Sequence, residues 1–243
     1  LGAQSIGYYD FELSAPAGTA VDIFGVEHIE PGTGRIQFTG GNRNGLRHIC
    51  REGLNRFTSL KRRSGRYLFV IVRGASAPVR IRNLRLIEST YPVARQGGFE
   101  CSDTFLNRVW EISAHTLKLC MEDSFTDCPV YEQTLWVGDA RNEAVFGYAV
   151  YGAEDMARRC LEVAGQSLER YPLVGCQVPS SWDVILPAWS FLWGVAVWEH
   201  YERTADLPWL RRIWPRVMKN IAGAESLTDE SGLFSAPMWN MFD

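Results

Sequence analysis

Residues 122–143 crowd six acidic side chains, Glu122, Asp123, Asp127, Glu132, Asp139 and Glu143, together with Tyr131 and Trp136. Acids interleaved with aromatic rings suit sugar chemistry. Cleaving a glycosidic bond needs one carboxylic acid that stays protonated near neutral pH. Ionised carboxylates accept hydrogen bonds from hydroxyls, and flat rings such as Tyr131 and Trp136 cover the C–H faces of a pyranose. Trp136 could also raise a nearby acid by excluding water from it. Spacing alone leaves Glu132 as a candidate proton donor, with plainer readings of the segment favoured over it.

Plainer readings stand beside that one. Asp139, after Gly138, could cap a helix that starts at Ala140. Asp127 could be a turn residue before Cys128-Pro129, and Glu143 a solvated first-turn charge.

The elements that must position these residues change character along the chain. Residues 4–93 alternate in the manner of short antiparallel strands: Tyr9, Phe11 and Leu13 precede a turn at 14–18, and Gly32-Thr33-Gly34 and Gly40-Gly41-Asn42 break later runs. The nearly continuous apolar run at 66–74 predicts a central strand. Between Pro78 and Ile87, Val79 and Ile81 lie on one phase and Leu84 and Leu86 on the other, which a bulge near Asn83 reconciles.

Beyond residue 102 the period becomes helical. Ser102 or Asp103 can cap a helix carrying Leu106, Val109, Trp110, Ser113, Leu117 and Cys120 at 3.6-residue spacing. Similar patterns follow near 139–151, 153–170, 186–204 and 207–222. Pro187 and Pro208 suit first turns, whereas Pro215 is expected to kink or end its helix. The loops at 122–138, 171–185 and 223–243 follow alternate helices, so an array of helical pairs would open them at one end, where a site belongs.

Composition agrees with two domains. All nine Trp lie beyond residue 100; residues 1–100 hold 14 Lys and Arg against 8 Asp and Glu, and the remainder 11 against 20, giving +6 and −9 for the stated −3. The arginines of the basic half are scattered along strand-like segments, with only Lys61, Arg62 and Arg63 in a run, so a solvated strand face is favoured over nucleic-acid binding. No apolar stretch approaches the roughly 18 residues of a membrane span. The six cysteines form no CxxC pair and read as reduced, structural thiols. His28, His48, His115 and His200 lack ligand spacing, so no metal and no cofactor is proposed. The first residues show neither a basic nor an apolar leader region; the compartment is left open, with the cytoplasm favoured.

The run from Asp127 to Gln133, Asp-Cys-Pro-Val-Tyr-Glu-Gln, followed by Trp136-Val137-Gly138-Asp139, resembles the signature of glycoside hydrolase family 78, the bacterial and fungal α-L-rhamnosidases, in its shorter Tyr-Glu-Gln form. The Arg66–Val93 stretch is similar to the β-sandwich strands before that family's catalytic barrel, and Phe99–Trp110 to the barrel's first helix. The resemblance implies a multidomain β plus α chain: an accessory antiparallel β-sandwich over 1–95, then the N-terminal part of an (α/α)6 barrel over 96–243, about five helices of twelve. It implies an inverting, metal-independent hydrolase removing terminal α-L-rhamnose, with Glu132 as general acid and Asp127, Trp136 and Asp139 lining the rhamnose subsite. Trp182 and Asp183 fall, by a looser match, where related enzymes supply further sugar contacts, whereas Trp189 and Trp193, at helical spacing, read as core.

An inverting pair needs a second carboxylate roughly 6.5–9.5 Å from the first. The family places it on a later barrel helix, so no residue here is assigned as base, and the 243 residues alone are expected to be inactive. The closing residues 238–243 resemble the stretch before a further substrate-side Trp. Expected partners are small-molecule or polysaccharide rhamnosides, with a homodimer left open and neither nucleic acid nor membrane. Two other readings remain: a non-catalytic carbohydrate-binding or scaffold protein, and another (α/α)6 glycosidase of trehalase-like or glucoamylase-like type.

Overall fold

The computed structural model describes residues 1–36, 44–182 and 184–235. The turn signal at Gly40-Gly41-Asn42, the candidate Asp183 and the closing stretch 238–243 lie outside the described residues. The chain divides into two compact units, Leu1–Thr90 with Cys128–Gln133, and Tyr91–Asp127 with the residues from Thr134 onward.

The first unit is built on β1 (Ser5–Ala15) and β2 (Ala20–Val26), each central to an antiparallel sheet. β1 pairs with β4 (Gly53–Thr58) and β5 (Arg63–Gly65) along one side and with β7 (Arg80–Glu88) along the other. β2 lies between β3 (Gly45–Ile49) and β6 (Tyr67–Arg73). Alternation decides which face is buried: Tyr9, Phe11 and Leu13 of β1 share a core with Val21 and Ile23 of β2. The intervening Asp10 and Glu12 turn outward to Arg85 and Arg56 at 2.8 Å each. These exposed pairs contribute about 1 kcal/mol or less apiece.

The β1–β7 register shifts between Glu12 and Leu13: Asn83 faces Glu12 and Ile81 faces Leu13, leaving Arg82 as the extra residue. The bulge therefore sits where the two phases of β7 collide. It brings Val79 into the core with Leu84 and Leu86 but leaves Ile81 exposed. Among the described residues the apolar run at 67–73 is not a central strand. Among the described residues β6 pairs with β2 alone, and Ile71 and Val72 remain partly open to solvent. A continuous apolar run reports low polarity, not two-sided pairing.

Among the described residues the second unit holds five α-helices: α1 (Thr104–Leu119), α2 (Val137–Val150), α3 (Glu154–Gln166), α4 (Pro187–Thr204) and α5 (Leu207–Glu225). Asp103 caps α1 by accepting from Phe105 N at 2.8 Å, and Asp206 caps α5 by accepting from Trp209 N at 2.9 Å. Pro187 and Pro208 occupy first turns, as their missing N–H groups allow. Pro215 does not end α5, which runs on to Glu225. Buried Trp209, Ile213, Val217 and Asn220 tie down both sides of the proline and outweigh its lost hydrogen bond.

α2 packs on α3 and α4, and α3 on α4 and α5, around Met156, Leu161, Trp193, Val197 and Trp209. Trp193 is completely enclosed and donates from Nε1 to Leu161 O at 3.0 Å, so it is core as its spacing suggests. No two of the six cysteines are joined in a disulfide, and Cys50, Cys120, Cys160 and Cys176 are buried.

Candidate active site

The first turn of α2 and the loops before α2 and α4 gather most of the candidate side chains. The two loops are stitched by backbone pairing. Trp136 bridges Gln177, Val137 N donates to Cys176 O at 2.8 Å, and Val178 N donates to Leu135 O at 3.1 Å. This pins Trp136, whose ring is buried with Cys176 and Leu186 and packed by Trp189. Trp182, in contrast, is 56% exposed and meets Trp136 edge-on, with ring centroids 6.3 Å apart. One ring is thus fixed in the protein and the other is open to a ligand.

Asp127 has a structural task that its spacing did not disclose. Its N–H donates to Thr134 O and its Oδ1 accepts from Thr134 N, both at 3.0 Å. The pair pinches the base of the six-residue excursion that carries Glu132. Inside the excursion, Glu132 N donates to Cys128 Sγ at 3.3 Å and Gln133 Nε2 donates to Pro129 O at 2.8 Å. Gln133 has φ of 54°, a left-handed conformation that a non-glycine residue holds only when its surroundings enforce it. Glu132 itself is exposed and Tyr131 half-buried, both in the first unit.

Asp139 is not the cap of a helix beginning at Ala140. α2 begins three residues earlier, at Val137, with Trp136 at the cap position, which leaves Asp139 in the first turn near the positive end of the helix dipole. Nor is Glu143 a solvated charge. It is half-buried, its Oε2 is sealed from solvent, and among the described residues no donor reaches that oxygen. Burial first, then the negative charges of Asp139 and Asp127, push its carboxyl up to about 9. Asp127, Asp139 and Glu143 therefore form one electrostatic cluster in which Glu143 holds its proton at neutral pH.

The buried setting of Glu143 was not legible in its spacing, which fits a helix surface equally well. A sequence signal did exist: Asp139, Glu143 and Gly147 recur every four residues, which aligns them on one face. Gly147 makes room there for the fully buried Phe125, whose ring would lie 3.2 Å from a Cβ at that position.

The six-hairpin glycosidase domain of the bacterial α-L-rhamnosidases matches residues 94–243. The chain is 47% identical to a family 78 rhamnosidase of Bacillus sp. GL1, with a TM-score of 0.94 over 100% of this chain and 25% of that one. A rhamnosidase from Klebsiella oxytoca, solved with rhamnose bound, shares the fold with a TM-score of 0.82 at 20% identity, covering 98% of this chain and 50% of its own. An α-L-rhamnosidase of Formosa agariphila is 24% identical over 231 residues, 88% of this chain and 23% of the relative. The chain thus spans about a quarter of the Bacillus and Formosa relatives.

Proposed function

As this chain belongs to the bacterial α-L-rhamnosidase family with the six-hairpin glycosidase domain, we propose that the whole protein hydrolyses terminal non-reducing α-L-rhamnosides with inversion. Glu132 protonates the departing glycosidic oxygen. Asp127 and Asp139 accept hydrogen bonds from the sugar hydroxyls, and Trp136, Trp182 and Tyr131 flank the ring, with Asp183 as a further contact. The base that activates water is a second carboxylate roughly 6.5–9.5 Å from the acid. It is assigned to no residue of this chain.

The observation that carries this reading is the Trp136–Trp182 ring pair at the entrance to α2, whose first turn carries Asp139. Carboxyl acceptors beside an open aromatic face are what a neutral, hydroxyl-rich ring requires. The Asp127–Thr134 latch supports Glu132 as the acid, since a proton donor must be held within hydrogen-bond reach of the oxygen it serves.

We take the strands as an accessory domain over 1–95 and the helices as the first part of an (α/α)6 barrel over 96–243. Exposed Phe105, Leu106 and Ile112 on α1 and Trp214, Met218 and Ile221 on α5 support the idea that both flanks of the array meet further structure.

The test uses the full-length protein on an aryl α-L-rhamnoside, following the product anomer by NMR. Glu132→Gln should lower kcat by about 10²-fold or more while ligand binding persists, and the wild type should release the β-anomer first. Undiminished turnover by Glu132→Gln would sink the acid assignment, and initial release of the α-anomer would sink inversion.

A further inference from the structure

Asparagine is a poor helix former and costly to bury without partners, yet α5 carries a buried Asn220. The fourth residue of α4, Ser190, is completely enclosed. The two satisfy each other. Ser190 Oγ donates to Asn220 Oδ1 at 2.8 Å, and Asn220 Nδ2 donates to Ser190 O at 3.0 Å. Both side-chain oxygens keep acceptor capacity, and the loop between α3 and α4 uses it: Val174 N donates to Asn220 Oδ1 and to Ser190 Oγ, each at 2.9 Å. α5 meets that loop again one turn on. A Cβ at Gly223 would stand 1.7 Å from Pro172 O, so the helix comes this close only because glycine lacks one.

From Val174 the constraint runs along the backbone to the candidate site. Two residues on, Cys176 O accepts from Val137 N at 2.8 Å, Gln177 bridges Trp136, and Val178 N donates to Leu135 O at 3.1 Å. The same segment supports the second ring. Ser180 Oγ donates to Gln177 Oε1 at 2.6 Å and accepts from Trp182 N at 2.9 Å, while Cys176 Sγ donates to Val184 O at 2.9 Å. Val174, Cys176 and Val178 are buried. A tightly packed segment tied at both ends transmits a displacement of Val174 to Trp136 instead of absorbing it.

We propose that Asn220 is a positioning residue of the sugar site: with Ser190 it clamps Val174, and so sets where Trp136 and Trp182 stand for the rhamnose ring. The inference rests on the rhamnosidase reading of that site. Asn220 acts through the loop and not on the reacting atoms. Ring faces that cover the sugar's C–H surface do so in the ground state and the transition state alike, so their misplacement appears in KM before kcat.

The experiment uses the full-length protein and compares wild type with Asn220→Leu, Gly223→Ala and Ile213→Ala, by kinetics on an aryl α-L-rhamnoside and by amide exchange of peptides covering 134–139 and 174–178. Leucine at 220 keeps the bulk and removes both the donor and the acceptor. It should raise KM by about 10-fold with kcat within about threefold of wild type, and speed exchange of both peptides by about 10-fold. Gly223→Ala alters no polar side chain and improves helix propensity, but it pushes Pro172 away from α5; KM should rise by about 3–10-fold, with the same faster exchange. Ile213 is buried on the same helix, roughly 10 Å along it from Asn220. Its truncation should lower the melting temperature and leave KM and the exchange of both peptides as in wild type.

A wild-type KM in folded Asn220→Leu or in Gly223→Ala overturns the proposal. So does an Ile213→Ala protein that matches their rise in KM, since the effect would then be general loss of stability. Should Asn220→Leu not fold, Gly223→Ala carries the test. Wild type that ignores rhamnosides overturns the function reading instead, while exchange at 134–139 and 174–178 still decides whether α5 holds the loop.

Discussion

Gly138→Ala sets two effects of opposite sign against each other. Gly138 lies buried in the first turn of α2, and a Cβ there would stand 2.5, 2.6 and 2.7 Å from Cε2, Cδ2 and Nε1 of Trp189. Helix propensity favours alanine by about 1 kcal/mol. Overpacking opposes it by about 1–3 kcal/mol, and the upper part of that range applies because the ring is packed against Trp136, Cys176 and Leu186 and cannot yield freely. To restore an ordinary contact the ring must retreat by roughly an ångström, or the first turn of α2 must move away from it. We expect a net loss of about 1–2 kcal/mol. Because Trp136 and Asp139 ride on the same turn, a fall in kcat/KM approaching 10²-fold should accompany it.

The assay is a double-mutant cycle with Trp189→Leu, following thermal unfolding and turnover of an aryl α-L-rhamnoside by the full-length protein. Leucine removes the obstructing ring, so alanine at 138 should be tolerated in that background, with a coupling of about 1–2 kcal/mol. Additive effects of the two substitutions, or a Gly138→Ala protein more stable than wild type, would refute the packing argument.

Three further outcomes follow from the same geometry. Asp127→Asn keeps an Oδ1 acceptor for Thr134 N and should weaken substrate binding with little change in loop order, whereas Asp127→Ala should also loosen 128–133 by about 1.5–3 kcal/mol, read as faster amide exchange across that segment. Burial, then the Arg158 cation, lowers His200 to about 4 from 6.5. Between those values the unfolded chain binds a proton that the folded one refuses, so stability falls as pH drops from 6.5 towards 4, by up to about 3 kcal/mol. His200→Phe should flatten that slope in acid unfolding curves. Glu143 has the reverse sign: the folded state retains a proton that the unfolded chain releases above about 4.5, so its stability is lost as pH rises from there towards 9. Glu143→Gln should therefore gain melting temperature over wild type progressively across that window, and a constant difference would contradict a protonated Glu143.

The sequence by itself determined the elements and the identity of the acid loop. Period-2 alternation in Tyr9, Phe11 and Leu13, helical spacing from Leu106 to Cys120, the capping Asp103 and the phase slip around Asn83 are local signals, and the structure follows each of them. The Asp127-to-Asp139 signature pointed to its family because a motif is contiguous residues, readable without a fold. The roles of those residues were decided at longer range. Among the described residues the apolar run at 67–73 is an edge strand, because pairing depends on which strands arrive beside it. Pro215 was overridden by burial on both sides of it. Asp127 became a latch through Thr134, seven residues on, and Trp136 was fixed by Gln177, some forty residues away. Glu143 changed most: its type and spacing describe a solvated helix charge, but burial and the negative charges of Asp139 and Asp127 make ionisation costly. Charge state depends on surroundings in three dimensions, and only tertiary packing supplies them.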